Sequence, residues 1–145
     1  MPLKSIHPTD SSEATELLGK RYASQFINQK IFLFGDLGVG KTTFLRGFAK
    51  GLRIKSKIKS PTFVGEHLHI IDSKHSFLHL DFYRAEKLPL ETIARLQEMF
   101  AAKNTTVAIE WSEKLPSALL PKERVEIHFQ DCGGDKREII FAVFP

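Results

Sequence analysis

The stretch that most constrains this chain is Gly35-Asp36-Leu37-Gly38-Val39-Gly40-Lys41-Thr42, a G-x-x-x-x-G-K-T sequence followed by a second threonine, Thr43. Glycines at these spacings let successive backbone N–H groups turn inward around a polyphosphate. A lysine at the seventh position reaches the outer phosphates, and the hydroxyl after it completes a Mg²⁺ shell. The context agrees with that chemistry. Ile31 to Phe34 ahead of the motif is a continuous apolar run of buried-strand type, and Thr43 to Leu52 behind it places Phe44, Leu45, Phe48, Ala49 and Leu52 on one helical face. Strand, glycine-rich turn and helix predict a nucleotide cradle formed by Asp36, Leu37, Gly38, Val39, Gly40, Lys41, Thr42 and Thr43.

A cradle needs a metal and water to work with, and two further strands end in acids. Phe77-Leu78-His79-Leu80-Asp81 and Thr106-Val107-Ala108-Ile109-Glu110 are apolar strands closing on carboxylates. An acid in that place holds Mg²⁺ beside the loop threonine or orders the attacking water. Ser60-Pro61-Thr62-Phe63 is a loop shaped by Pro61. It offers the Thr62 hydroxyl on the segment after the first P-loop helix, where P-loop switch proteins sense the γ-phosphate, and Ser-Pro-Thr is equally common turn chemistry with no ligand. Trp111, the one tryptophan, follows Glu110, in a position to stack on adenine, contact a partner, or pack in the core or as a lid. His67 and His69 share a strand face opposite His79; without further donors at ligand spacing they read as half-exposed strand histidines, not a zinc centre.

The remaining chain supplies scaffold. Leu3 to His7 reads as a short edge strand. Asp10 or Ser11 caps a helix reaching about Phe26, with Glu13 completing a capping box from Asp10, and Asn28-Gln29-Lys30 is a turn. Phe63 to Ile71 and Ser76 to Tyr83 form a hairpin around Asp72 to His75. Pro89 is placed as a first helical residue before Leu90 to Ala102. Leu115 to Pro121 is a loop or single turn, and two alternating strands around Asp131 to Asp135 close the chain as a hairpin. The expected fold is an α/β, P-loop NTPase-like three-layer domain. Its mixed sheet has a parallel core and added antiparallel hairpins, and residues 1–145 make one domain.

Composition excludes several classes. With 145 residues, 42% hydrophobic and 26% charged, the chain is of ordinary globular type. Met1 to Ser12 has no apolar signal core, and the longest apolar run, Ile139 to Phe144, is too short to span a bilayer, so the expectation is a cytoplasmic protein without a membrane. The single Cys132 makes no intrachain disulfide. The net charge of +4 is concentrated: Arg46, Lys50, Arg53, Lys55, Lys57 and Lys59 occur without an intervening acid. That cluster suits RNA phosphates or an acidic protein face, and equally a solvated helix end.

Taken together, GDLGVGKTTFLRG, SPTF, HLDFYR, AIEWSEKLP and the closing VEIHF and REIIF strands resemble, in order and spacing, the TsaE family. Departures are small: Val39 stands for a usual alanine, His67 for a frequent tyrosine, and Ala85 for a frequent leucine. The resemblance implies an ATP-binding, weakly hydrolysing subunit that works with TsaB and TsaD in threonylcarbamoyladenosine synthesis on tRNA, next to the anticodon. It implies that Lys41 binds phosphate, Thr42 and Glu110 bind Mg²⁺, and Asp81 coordinates or orients water. Thr62 would contact the γ-phosphate region, Trp111 would support activity, and adenine would lie near Asp10–Ser11 and Arg137. The alternatives are a small-molecule P-loop kinase, against which stands the lack of a long acceptor lid, and a non-enzymatic RNA-binding module using Arg46 to Lys59. A GTPase would need an N-K-x-D segment, which the chain lacks.

Overall fold

The structure, a computed structural model, describes residues 1–54, 65–83 and 85–145. Thr62, the Ser60-Pro61-Thr62-Phe63 loop, Lys55, Lys57, Lys59 and Arg84 lie outside the described residues. Among the described residues, seven strands form one mixed sheet: β1 (Leu3–Thr9), β2 (Lys30–Phe34), β3 (Gly65–Ile70), β4 (Ser76–Asp81), β5 (Thr105–Glu110), β6 (Arg124–Asp131) and β7 (Arg137–Phe144), in the order β1-β7-β6-β2-β5-β4-β3. β6, β2, β5 and β4 run parallel, and β3, β7 and β1 add antiparallel pairings at the edges. The expected parallel core with antiparallel hairpins is therefore the fold observed.

Among the described residues, three α-helices complete the layers: α1 (Ser12–Phe26), α2 (Lys41–Gly51) and α3 (Leu90–Ala101). α1 and α2 cover one face, where Phe44, Leu45 and Phe48 pack with Ile31, Leu33, Ile127 and Phe141. α3 covers the other face through Leu96 and Met99, against Phe32, Leu80, Val107 and Ile109. The alternation along β2 distributes these contacts, because successive strand side chains point to opposite faces and both faces of this central strand are buried. All four parallel strands end at the same edge, where ligands of open α/β sheets bind.

Local chemistry sets the element ends. Ser11 caps α1, its Oγ accepting from Ala14 N at 3.0 Å. The cap is therefore Ser11 itself, and Glu13, in the first turn, is not the partner of an Asp10 capping box. α2 ends as expected at Gly51, with Arg53 taking the left-handed conformation (φ 65°) and Ile54 N donating to Ala49 O at 2.9 Å. Pro89 precedes α3 as its extended N-cap (φ −59°, ψ 153°) and is not its first helical residue. Lys30 begins β2 instead of ending a turn. It is buried, and its Nζ donates to Ala102 O at 2.7 Å and to Thr105 O, satisfying carbonyls at the end of α3 and the start of β5. In the β3–β4 turn, backbone N–H groups of Lys74 and His75 donate to Asp72 at 2.7 and 2.8 Å; the Lys74 bond and the His75 ring hold this exposed carboxyl below its usual range.

The helix pair α1 and α2 approaches closely enough to need glycine. A Cβ on Gly47 would lie 1.8 Å from Glu16 O, one on Gly19 2.0 Å from Phe44 O, and one on Gly51 2.5 Å from Lys20 O. Backbone atoms cannot yield as a side-chain tip can, so this spacing is fixed. It holds the first turn of α1 against the loop ahead of α2. Gly47→Ala is expected to lower stability by about 1–3 kcal/mol in denaturant unfolding, whereas Gln97→Ala, on the exposed side of α3, changes it by less than about 0.5 kcal/mol. Equal effects would contradict the packing account.

Candidate functional site

The loop between β2 and α2 turns on glycines in conformations that side chains avoid: Gly38 has φ 79° and Gly40 φ 105°. Gly40 caps α2 without a side chain, leaving the first-turn N–H groups of the helix to face a cleft. That is the chemistry of an anion site at a helix N-terminus. The cleft has a volume of about 190 Å³ and is lined by Ser11, Ser12, Thr15, Leu37, Gly38, Val39, Gly40, Lys41, Thr42, Thr43, Glu110, Trp111, Asp135 and Arg137. Most of the expected cradle thus meets one cavity. Asp36 is exposed outside that lining, and its carbonyl accepts from Val39 N at 3.4 Å.

The two strand-end acids stand side by side. Asp81 and Glu110 are register partners on β4 and β5, and each is 1% exposed. Glu110 Oε1 accepts from Thr42 Oγ1 at 2.8 Å, joining the start of α2 to the end of β5. Its other oxygen, Oε2, is bonded to His79 Nε2 at 2.7 Å. Asp81 Oδ1 accepts from Tyr83 N at 2.8 Å. His79 is 1% exposed, so its reading as a half-exposed strand histidine does not stand. Its position two residues before Asp81 was the available signal, since residues i and i+2 share a face. Among the described residues, no group of three or more histidines, cysteines and acids is arranged to hold a metal.

Lys41 is 4% exposed. Its Nζ donates to Gly35 O and lies 3.5 Å from the centroid of the Trp111 ring, an ammonium–aromatic contact. Burial pushes its pKa down, while the carboxylates of Glu113, Glu110, Asp81 and Asp36 act to raise it. Trp111 reaches this place because its backbone is left-handed (φ 61°, ψ 43°), a strained choice for a large side chain. Its ring face is occupied by Lys41, and Tyr83 lies 5.0 Å from it. The Trp111 turn launches a single 3-10 turn, Ser112–Lys114. Glu113 on that turn accepts from Gly35 N at 2.6 Å, and Lys114 Nζ donates to Tyr83 O, so the turn ties the start of the loop to the segment after Asp81. Neither residue was singled out from sequence. Their roles depend on the backbone turn at Trp111, which spacing does not reveal.

Arg137, at the start of β7, braces the loop from outside. Its Nε donates to Val39 O at 3.2 Å and its Nη2 to Gly38 O at 3.4 Å. Ser11 and Arg137 both line the cleft, whereas Asp10 does not. Of the basic segment, Lys50 pairs with Glu16 at 3.1 Å and Arg53 closes α2.

The family model described as "Threonylcarbamoyl adenosine biosynthesis protein TsaE" matches residues 9–139. The chain belongs to the TsaE family. A Bacillus subtilis member, named tRNA threonylcarbamoyladenosine biosynthesis protein TsaE, is 40% identical over 112 residues, which are 76% of this chain and 66% of that protein. A protein of the same name from Nostoc is 37% identical over 115 residues, covering 75% of this chain and 68% of the relative. A Rickettsia bellii member is 36% identical over 131 residues, 88% of each chain. This chain thus spans about two thirds of the length of the first two relatives. The fold is similar to the crystal structure of YdiB from Bacillus subtilis, with a TM-score of 0.76 at 31% identity, covering 100% of this chain and 88% of that one. TsaE membership fits the strand-loop-helix, the paired acids and the glutamate-tryptophan turn, all of which fall inside the matched residues.

The lowered pKa of Lys41 has a measurable consequence. Below its ordinary value of 10.5 the folded chain binds fewer protons at this group than the unfolded chain does. The stability of wild type relative to Lys41→Met should therefore rise as pH climbs from 7 towards 10.5, in denaturant unfolding without nucleotide. A difference that falls with pH would contradict the buried, charged Lys41.

Proposed function

We propose that this chain binds MgATP in the cleft at the carboxyl edge of the sheet and hydrolyses it, in the service of threonylcarbamoyladenosine formation on tRNA, with partners of the TsaB and TsaD type. The observation that carries the reading is the 2.8 Å bond between Thr42 Oγ1 and Glu110 Oε1, next to the buried Lys41. A glycine-rich loop alone would serve any anion; a hydroxyl and carboxylate joined at its end fit a nucleotide with a metal.

The residues present fit Mg²⁺. Thr42, Glu110 and Asp81 offer hard oxygen donors at the loop's end, and Mg²⁺ commonly takes one or two carboxylates together with phosphate and water oxygens, so a full protein cage is not required. When bound there, Mg²⁺ supplies neutralisation of charge on the phosphoryl oxygens. The chain's own groups do the rest. Backbone N–H groups at the start of α2 hold the phosphates, and Lys41 moves from its bond with Gly35 O to stabilise the transferring group. Asp81, held by Tyr83 N, is proposed to order the attacking water. Ser11 and Arg137 mark the part of the cleft that receives the nucleoside, and Thr62 is proposed as the γ-phosphate contact. The Arg46 to Lys59 segment is proposed to meet tRNA or a partner through its charge.

Turnover should depend on the partners, which makes the test direct. ATPase activity is measured for wild type, Lys41→Ala and Glu110→Ala, each with and without TsaB- and TsaD-type proteins. The expected result is partner-dependent hydrolysis that falls by about 10²-fold or more in both variants. Hydrolysis by Lys41→Ala at the wild-type rate would overturn the reading, and transfer of phosphate to an added metabolite instead of water would favour a kinase.

A further inference from the structure

The proposed metal site leaves one buried polar side chain without an assigned task. His79 lies on β4 across from Ala108 of β5, and its ring reaches diagonally along the sheet to Glu110, two residues further on. The side chains of His79 and Glu110 are 1% and 2% exposed. Ala108 is itself fully buried, and its small side chain leaves the space the imidazole crosses. A carboxylate can only accept, so Nε2 carries the hydrogen and donates to Oε2 at 2.7 Å. The opposite oxygen, Oε1, then faces Thr42.

We infer that His79 is a positioning residue for the metal-binding carboxylate: it fixes the rotation of Glu110 so that Oε1 points to Thr42 and the metal position. This inference rests on the MgATP reading and adds to it a residue that acts through Glu110. The physical reason is that a glutamate at a strand end has three side-chain torsions, and one bond from Thr42 leaves the far oxygen free to swing. A second bond from a ring held between strands removes that freedom. Oε2 is buried on the sheet and shielded from solvent, so loss of His79 leaves it either unpaired or turned away from its present direction. Hydrogen-bonding partners behind metal ligands commonly matter by 10–100-fold in metal affinity.

His67 supports the same assignment. Its ring stacks at 6.2 Å from His79, in register across β3 and β4, and so backs the imidazole from the edge strand. His79 is thereby confined by Ala108 on one neighbouring strand and His67 on the other, a setting that suits orientation.

The test reads metal dependence in binding, not turnover. Trp111, beside Lys41, is the only tryptophan in the chain, so its fluorescence reports ligands in the cleft. ATP is titrated into wild type, His79→Leu, His79→Gln and His79→Asn, with Mg²⁺ and with EDTA. The expected result is that His79→Leu loses about 10–100-fold of the Mg²⁺-dependent gain in ATP affinity, with metal-free ATP affinity unchanged. His79→Gln, whose amide can occupy the Nε2 position, recovers most of that gain. His79→Asn, too short to reach Oε2, does not, and it carries the test if His79→Leu fails to fold. Full Mg²⁺ dependence in His79→Leu or His79→Asn would overturn the inference, as would equal weakening with and without metal in all three variants. A wild type that binds ATP no better with Mg²⁺ than with EDTA overturns the MgATP reading itself, and the role of His79 with it.

Discussion

The bond from the Thr42 hydroxyl to the Glu110 carboxylate is the constraint on which the rest of the site depends. It joins residues 68 positions apart in sequence, one opening α2 and the other closing β5. β2 (Lys30–Phe34) leads directly into the loop before Thr42 and lies beside β5 in the sheet, so the loop leaving β2 turns directly over the end of β5. The pairing of Asp81 with Glu110 extends that edge by one strand and brings a second acid level with the first. Loop, hydroxyl and acids therefore converge because parallel strands end together, and no long excursion of the chain is needed.

Three contacts keep the loop at that distance. On one side α1 is held to α2 by backbone-to-backbone contact at Gly19, Gly47 and Gly51, which leaves Thr15 within 3.4 Å of where a Gly40 side chain would begin. On the other, Arg137 reaches from β7 to the carbonyls of Gly38 and Val39. The Ser112–Lys114 turn adds a third tie through Glu113 to Gly35 N. Such a loop has its backbone geometry set before any ligand arrives, and on the proposed mechanism it is the Lys41 side chain that has to move, away from Gly35 O. The left-handed Trp111 is the local strain that accompanies this arrangement.

The loop, its helix and the two acid-ended strands were legible in the sequence because each is local: a motif with fixed spacing or an apolar run with a charge at its end. The hairpins were legible for the same reason, with turn residues at Asp72 and Gly133–Gly134. What escaped was set by neighbours distant in the chain. Lys30 looks like a turn residue until Ala102 and Thr105 bring carbonyls to it. His79 looks half exposed until β5 lies beside β4 and Glu110 is within reach. Alternation tells which side chains share a face, but not whether that face is covered by a helix. The glycines of α2 are visible in the sequence, yet their purpose is visible only once α1 is seen against them.

The central claim is that Thr42 and Glu110 act as one unit on a metal-bound nucleotide. A double-mutant cycle with Thr42→Val and Glu110→Gln, read as MgATP affinity by calorimetry, tests it most directly. The account predicts strong non-additivity, with a coupling of about 0.5–3 kcal/mol and a double variant little worse than the more damaged single one. Two effects that simply add, or single variants that bind MgATP as tightly as wild type, would contradict it.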